Sequence, residues 1–122
     1  MKIERGDIIY ADFGNHPASS IQSGIRPAVV ISNNKANLYS TVVTVVPLST
    51  QIRKKLYLPT HLLIYIDECI GLDINSLALA EQVVSLDKRK ILYKVGCIID
   101  NEVMEQLTTA VQIQIGVFEQ YN

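Results

Sequence analysis

The sequence predicts an α+β fold: a small curled antiparallel sheet, closed toward a barrel, followed by a C-terminal helix. Three observations carry that prediction. Six short runs rich in β-branched and apolar residues crowd into the first hundred positions, a density that suits a curled sheet or small barrel. A single long helical periodicity follows, after Asp100. With 48% hydrophobic and 19% charged side chains, 122 residues suffice to bury one core, so residues 1–122 are read as one domain.

In chain order, Ile8-Ile9-Tyr10-Ala11-Asp12 reads as the first strand, from its β-branched and aromatic content. Residues 13–25 (FGNHPASSIQSGI) carry Gly, Asn, Pro and Ser and read as a long exposed loop. The runs at 28–32 (AVVIS) and 42–46 (VVTVV) are nearly continuously apolar, which predicts strands buried on both faces. Pro47, lacking an N–H for the ladder, is expected to close the second of these. Further strands are expected at 62–66, 77–85 and 95–99. Asp87 is placed to cap a short helical turn through Lys88 to Tyr93, and Asp100 to cap a helix over 101–120. In that helix Met104, Leu107, Val111, Ile115 and Phe118 recur at three- and four-residue steps and make one apolar face for core packing.

Composition excludes several classes. No apolar run approaches the roughly 20 residues of a membrane span, and the first residues offer no apolar stretch for a signal peptide, so a cytoplasmic protein is expected. Cys69 and Cys97 share no metal-ligand spacing with each other or with His16 and His61, and read as reduced core residues. A net charge of −1 argues against a generic polyanion binder. The basic residues are nonetheless bunched in Arg53-Lys54-Lys55 and Lys88-Arg89-Lys90, whereas the stretch from Asp100 onward holds four acidic residues and no basic one. No P-loop, GxGxxG, HExxH or nucleophile elbow is present.

The polar residues with chemical potential sit at strand ends. Arg26, between Gly24 and Pro27 at a strand mouth, has the paired donors and permanent charge that hold a phosphate. It equally suits a structural ion pair with Asp7, Asp12 or Glu81, and pattern alone leaves both open. Ser49, Thr50 and Gln51 directly follow a buried strand, where hydroxyls and an amide either contact phosphates and base edges or form an ordinary solvated turn. Glu81 and Gln82 interrupt an apolar strand, and alternation puts them on opposite faces. His61, at a strand entrance, reads as structural, and nothing in the sequence positions a partner for His16.

Taken together and in order, RGDIIYADF, QSGIRPAVVISNN, VVPLSTQ, LPTH and LALAEQVVSLDK resemble the successive motifs of the MazF/PemK toxin ribonucleases. The similarity runs over nearly the whole chain. It implies an SH3-like, PemK-type barrel with a C-terminal helix, a homodimer, and cleavage of single-stranded RNA at short sequences in mRNA. It also implies a cognate antitoxin protein, the partner of a type II toxin–antitoxin pair. No metal and no cofactor is implied: the ribose 2′-hydroxyl attacks its own phosphate, which requires charge stabilisation and proton transfer. By position, Arg26 matches the family's catalytic Arg, Ser49 falls where many members have a catalytic Thr, and Thr50 replaces it if the register slips by one. Gln22, Thr50, Gln51, Glu81 and Gln82 match substrate-groove positions.

Two departures stand out. Ile21 occupies a position where many members are acidic, and Val84 with Ser85 stands where many carry an Arg. Both lie beside the expected groove, so the recognised sequence should differ from relatives. The alternatives are a toxin that binds protein, like the gyrase-inhibiting CcdB family of similar fold, and an RNA-binding module of weakened activity.

Overall fold

The computed structural model describes residues 1–52 and 58–118. The basic triplet at 53–55 and the end of the expected C-terminal helix lie outside these residues. Eight strands form one strongly curled antiparallel sheet: β1 (Asp7–Asp12), β2 (Ile25–Val30), β3 (Val42–Ser49), β4 (His61–Ile64), β5 (Cys69–Ile70), β6 (Ser76–Leu79), β7 (Val84–Asp87) and β8 (Ile91–Ile98). Their order is β4-β6-β3-β2-β1-β8-β5, with β7 also pairing β3. Helices α1 (Asn34–Tyr39) and α2 (Asn101–Gln114) complete the fold.

The apolar runs form the centre of the sheet, as their two-sided hydrophobicity predicts. Ile8, Val29, Val46 and Leu48 face one core with Ile64, Ile98, Val103 and Leu107, and α2 closes that side. The intervening residues Ile9, Ala28, Val30, Val43 and Val45 face a second core with Ile3 and Leu86, closed by the curled strands themselves. Alternation along each strand thus fills two cores, which is why these segments read as continuously apolar.

Several boundaries differ from the sequence expectation. Pro47 does not end β3, which runs on to Ser49. One edge of β3 pairs with β7 up to Val45↔Val84 and with β6 from Leu48↔Ala78. Pro47 falls between the two ladders, where a missing N–H breaks no pair on that edge. The expected strand over 77–85 is split accordingly: β6 and β7 serve different stretches of β3, and a 3-10 turn, Ala80–Gln82, joins them. β2 starts at Ile25, so Arg26 lies inside the strand, opposite Ala11.

The turn after Asp87 is shorter than expected, Lys88–Lys90, with the Asp87 side chain accepting from the Arg89 amide as predicted. β8 then begins at Ile91 rather than at 95. Asp100 caps α2 by accepting from the Glu102 amide, also as predicted. The helix ends at Gln114, however, and its buried face is Val103, Leu107 and Ala110, flanked by half-buried Met104 and Val111. Ile115 and Phe118 are exposed. The 62–66 strand is observed as β4 with a following 3-10 turn, Ile66–Glu68.

Two elements lack a sequence signal. Helix α1 is a six-residue segment capped by Asn33, whose side chain accepts from the Ala36 amide at 2.8 Å. β5 has two residues and pairs with β8 at Cys69↔Ile98 and Ile70↔Cys97. Both cysteines are free; Cys69 is buried and Cys97 half-buried. Burial pushes the Cys69 thiol up from its ordinary value, which keeps it protonated and unreactive. β5 and β8 approach so closely that a Cβ on Gly96 would lie 1.8 Å from the Ile70 carbonyl oxygen. The chain then leaves β5 through Gly71, whose φ of +105° excludes most side chains. No helix of the described residues is long and apolar enough to cross a membrane.

Candidate nucleic-acid cleft

The curl of the sheet leaves a cleft of about 520 Å³ where β1, β2, the end of β3 and the 71–74 segment meet. Arg26 and Pro27 of β2 line it with Gln22 from the long loop and Tyr10 from β1. Ser49, Thr50 and Gln51 line it from the end of β3, the strand beside β2, and Asp73, Ile74 and Ser76 also line it. Five of the seven residues singled out from the sequence, Gln22, Arg26, Ser49, Thr50 and Gln51, therefore converge here although the sequence separates them by up to 29 positions.

Arg26 is held from behind by neutral groups. Its Nε donates to the Ser23 carbonyl at 2.9 Å and its Nη1 donates to Gln22 Oε1. Among the described residues it makes no ion pair, so the structural partners weighed from sequence, Asp7, Asp12 and Glu81, are engaged elsewhere or stand apart. Asp7 pairs with Lys94 at 3.1 Å and also accepts from the Glu4 amide, and Asp12 accepts from the Gly14 amide. A guanidinium kept planar and oriented, with its charge uncompensated, is suited to a phosphate.

Ser49 is buried at 8% exposure and accepts from the Gln51 amide at 3.1 Å. Because the hydroxyl accepts in that bond, its proton remains available to an oxygen in the cleft. Thr50 lies one position past the strand and is exposed. Tyr10 stacks on Tyr93 with ring centroids 5.3 Å apart, forming a rigid aromatic flank.

The last two residues lie outside the cleft. Glu81 is turned toward β4: its Oε2 lies 2.5 Å from His61 Nε2, and its Oε1 accepts from Thr60 at 3.3 Å. The His61 side chain is 1% exposed, as a structural histidine should be. Gln82 sits behind the long loop and fastens it, donating to the Ser20 carbonyl at 2.8 Å and accepting from the Gln22 amide at 3.2 Å. The alternation expected for a strand does not apply to either residue, because both belong to the 3-10 turn. Gln82 also lines a second groove of about 350 Å³, together with Ile21, Val84, Phe13, His16 and Asp87. The two departures from the family pattern, Ile21 and Val84, thus line one groove and make it apolar. His16 spends Nε2 on the Phe13 carbonyl at 2.8 Å. At the groove's edge, hydrogen bonds from the Arg89 side chain and amide hold the Asp87 carboxyl down to about 2.

Sequence reasoning missed Tyr10, Asp73 and Ser76. Asp73 carried the one usable signal: Gly71-Leu72-Asp73-Ile74-Asn75-Ser76 is a turn-like stretch between apolar runs, and site residues favour such loops. Among the described residues, no three of His, Cys, Asp and Glu converge as a metal-ligand group.

Residues 4–115 match the family described as the PemK-like, MazF-like toxin of type II toxin-antitoxin systems. The chain is 33% identical over 120 residues to Endoribonuclease EndoA of Bacillus subtilis (strain 168), covering 98% of this chain and 99% of that one. Among solved structures it resembles MazF of Deinococcus radiodurans, with a TM-score of 0.77 at 19% identity over 95% of this chain and 98% of the other. It also resembles an endoribonuclease from a Mycobacterial species in complex with its cognate antitoxin, with a TM-score of 0.71 at 22% identity over 94% of each chain. At these identities the two structures speak to the fold.

Proposed function

The chain belongs to the PemK-like, MazF-like toxin family of type II toxin–antitoxin systems, and on that premise we propose that it is a metal-independent endoribonuclease cutting single-stranded RNA in the Arg26 cleft. The observation that carries the reading is the convergence of Gln22, Arg26, Ser49, Thr50 and Gln51 in one cleft, with Arg26 making no ion pair among the described residues.

The chemistry follows from the groups present. The 2′-hydroxyl of the nucleotide at the scissile bond attacks the adjacent phosphorus, and negative charge grows on the non-bridging oxygens. Arg26 meets that charge, and Ser49 adds a hydroxyl donor from the neighbouring strand. Gln22, Thr50 and Gln51 offer amide and hydroxyl groups that read unstacked bases by hydrogen bonds, while the Tyr10 ring offers a stacking surface. Gln82 contributes indirectly by holding the loop that carries Gln22. Binding therefore rests on a few polar contacts, which reconciles RNA as substrate with a net charge of −1.

The natural context proposed is that of a toxin acting in the cytoplasm as a homodimer and silenced by a cognate antitoxin. An acidic, partly disordered antitoxin segment would find the Arg26 guanidinium as a partner in this cleft.

The test is to incubate purified protein with a long single-stranded RNA in EDTA, beside Arg26→Ala and Ser49→Ala. The wild type should cut, and Arg26→Ala should lose about 10²–10³ in rate. Ser49→Ala should lose most of its turnover while remaining folded; if it stays active and Thr50→Ala does not, the hydroxyl is that of Thr50. RNA retained without cutting would identify a weakened binding module. No interaction with RNA would favour a toxin that binds protein.

A further inference from the structure

A transesterification needs a group to take the proton from the attacking 2′-hydroxyl, and the residues that the sequence singled out do not supply one. Arg26 cannot serve, because a guanidinium is all donors and has no acceptor for a proton. Ser49, Thr50 and Tyr10 offer hydroxyls, and Gln22 and Gln51 are amides. No histidine lines the cleft, and Glu81, in the turn between β6 and β7, is committed to His61 and Thr60.

One carboxylate does line it. Asp73 is the single Asp or Glu among the described lining residues. Among the described residues, no hydrogen bond or ion pair engages its side chain, and it forms no pair with Arg26. A carboxylate and a guanidinium within ion-pair distance would close on each other and leave no room for a phosphodiester. Here they share a cavity of about 520 Å³ without touching.

The position of Asp73 is also fixed by its surroundings. Two residues before it, Gly71 packs so tightly that a Cβ would lie 2.5 Å from the Val95 carbonyl oxygen. Two residues after it, the Asn75 side chain accepts from the Ile66 amide at 2.9 Å, and Ser76 enters β6 as a buried residue. The short exposed loop is thus anchored at both ends, and Asp73 lines the same cleft as Arg26 and Ser49.

We propose that Asp73 is the general base of this site, accepting the 2′-hydroxyl proton while Arg26 stabilises the phosphoryl oxygens. The inference rests on the endoribonuclease reading above. The 2′-hydroxyl proton passes to a carboxylate oxygen of Asp73 as the 2′-oxygen bonds to phosphorus. The bond from phosphorus to the 5′-oxygen breaks with its electron pair on that oxygen, which takes a proton from water. Asp73 returns its proton to solvent, leaving a 2′,3′-cyclic phosphate and a 5′-hydroxyl.

The experiment first maps a cut made by the wild-type protein in a long single-stranded RNA. Single-turnover rates are then measured on a short oligonucleotide spanning that cut, for the wild type, Asp73→Asn, Asp73→Glu and Arg26→Ala. Affinity is measured separately with the same oligonucleotide carrying a 2′-deoxy sugar at the scissile position. Asp73→Asn should lose about 10²–10⁴ in rate, the range for a general base, and keep its affinity for the 2′-deoxy probe. Asp73→Glu, which retains a carboxylate, should recover part of the loss. A rate for Asp73→Asn close to the wild type overturns the proposal, as does a rate loss matched by an equal loss of affinity. A wild-type protein that cuts no RNA defeats the underlying reading and the proposal with it; a cutting wild type with an active Asp73→Asn defeats the proposal alone.

Discussion

Gly96→Ala tests whether the close approach of β5 and β8 is what holds the Asp73 loop in place. Gly96 has no left-handed φ, so the substitution introduces no backbone strain of its own, and its whole effect is steric. The new Cβ would stand 1.8 Å from the Ile70 carbonyl oxygen, 2.5 Å from the Ile70 carbonyl carbon and 3.1 Å from the Gly71 Cα. Carbon and oxygen rest no closer than about 3.3 Å, so β5 must retreat by roughly 1.5 Å. All three opposing atoms are backbone, and no side-chain rotation relieves the contact.

A shift of that size breaks the pairing at Cys69↔Ile98 and Ile70↔Cys97, which is the whole of the β5–β8 ladder. Two ladder hydrogen bonds at ~1 kcal/mol each, together with partial exposure of Cys69, give a loss of about 2–3 kcal/mol. Urea denaturation of the two proteins measures it as a lower midpoint at similar slope. Because Gly71 leads directly into the Asp73 loop, RNA cutting per folded molecule should fall as well. A stability change under about 0.5 kcal/mol, the size of an ordinary surface substitution, would refute the tight packing and with it the claim that Asp73 is rigidly placed.

Four other outcomes are expected. Gln82→Ala removes both ties to residues 20 and 22, so KM for RNA should rise with melting temperature little changed; unaltered KM would mean the loop holds itself. Glu81→Gln removes the charged acceptor beside buried His61 and should cost about 1–3 kcal/mol in denaturant unfolding, with cutting by the folded fraction preserved; lost cutting without lost stability would return Glu81 to the site. The folded-state carboxyl of Asp87 sits at about 2 against an ordinary 3.8, so its contribution to the fold is complete above the unfolded value and is lost as pH falls through about 2; its carboxyl NMR shift should titrate near the lower value, and Arg89→Ala should move the midpoint back up. Finally, RNA affinity should fall with salt at a log–log slope of only about −1.5 to −3, that of two to four phosphate contacts on a single strand, whereas a steep slope would require a basic surface beyond the cleft.

What the sequence made legible was what local chemistry decides. The runs at 28–32 and 42–46 announced two-faced burial because alternate residues do fill opposite cores. Asp87 and Asp100 announced caps because an N-cap is satisfied within three residues of itself. The cleft was half legible: Arg26 and Ser49 stood out through their neighbours in the chain. What stayed hidden depends on partners far away in sequence. LALAEQVVS contains neither Gly nor Pro, and it breaks at 80–82 because β3 needs one strand for each stretch of its edge. β5 is too short to show a period. The face of α2 centres on Leu107 but is phased by what it packs against, so Val103 and Ala110 are buried while Ile115, beyond the end of the helix, is not. Asp73 belongs to this second class, because only folding brings its loop into the same cleft as Arg26.

That division bears on how the cleft works. A cation meant to meet a phosphate must be held still, yet a carboxylate placed to hold it would cancel the charge it has to offer. In this protein the immediate partners of Arg26 are a backbone carbonyl and the Gln22 amide. Both are neutral acceptors, so they orient the guanidinium without neutralising it. Gln22 is in turn fixed by Gln82, again through amides. The support for Arg26 therefore runs through two uncharged layers to the turn between β6 and β7. The carboxylate of Asp73 lines the same cavity and, among the described residues, does not pair with the arginine. Replacing Gln22 by Glu should test this arrangement from the inside. The shape would be nearly kept, but a direct ion pair with Arg26 would form, and such a pair lowers the field available to a phosphate. If Gln22→Glu cut RNA as fast as the wild type, orientation alone would account for Arg26, and the argument from uncompensated charge would fail.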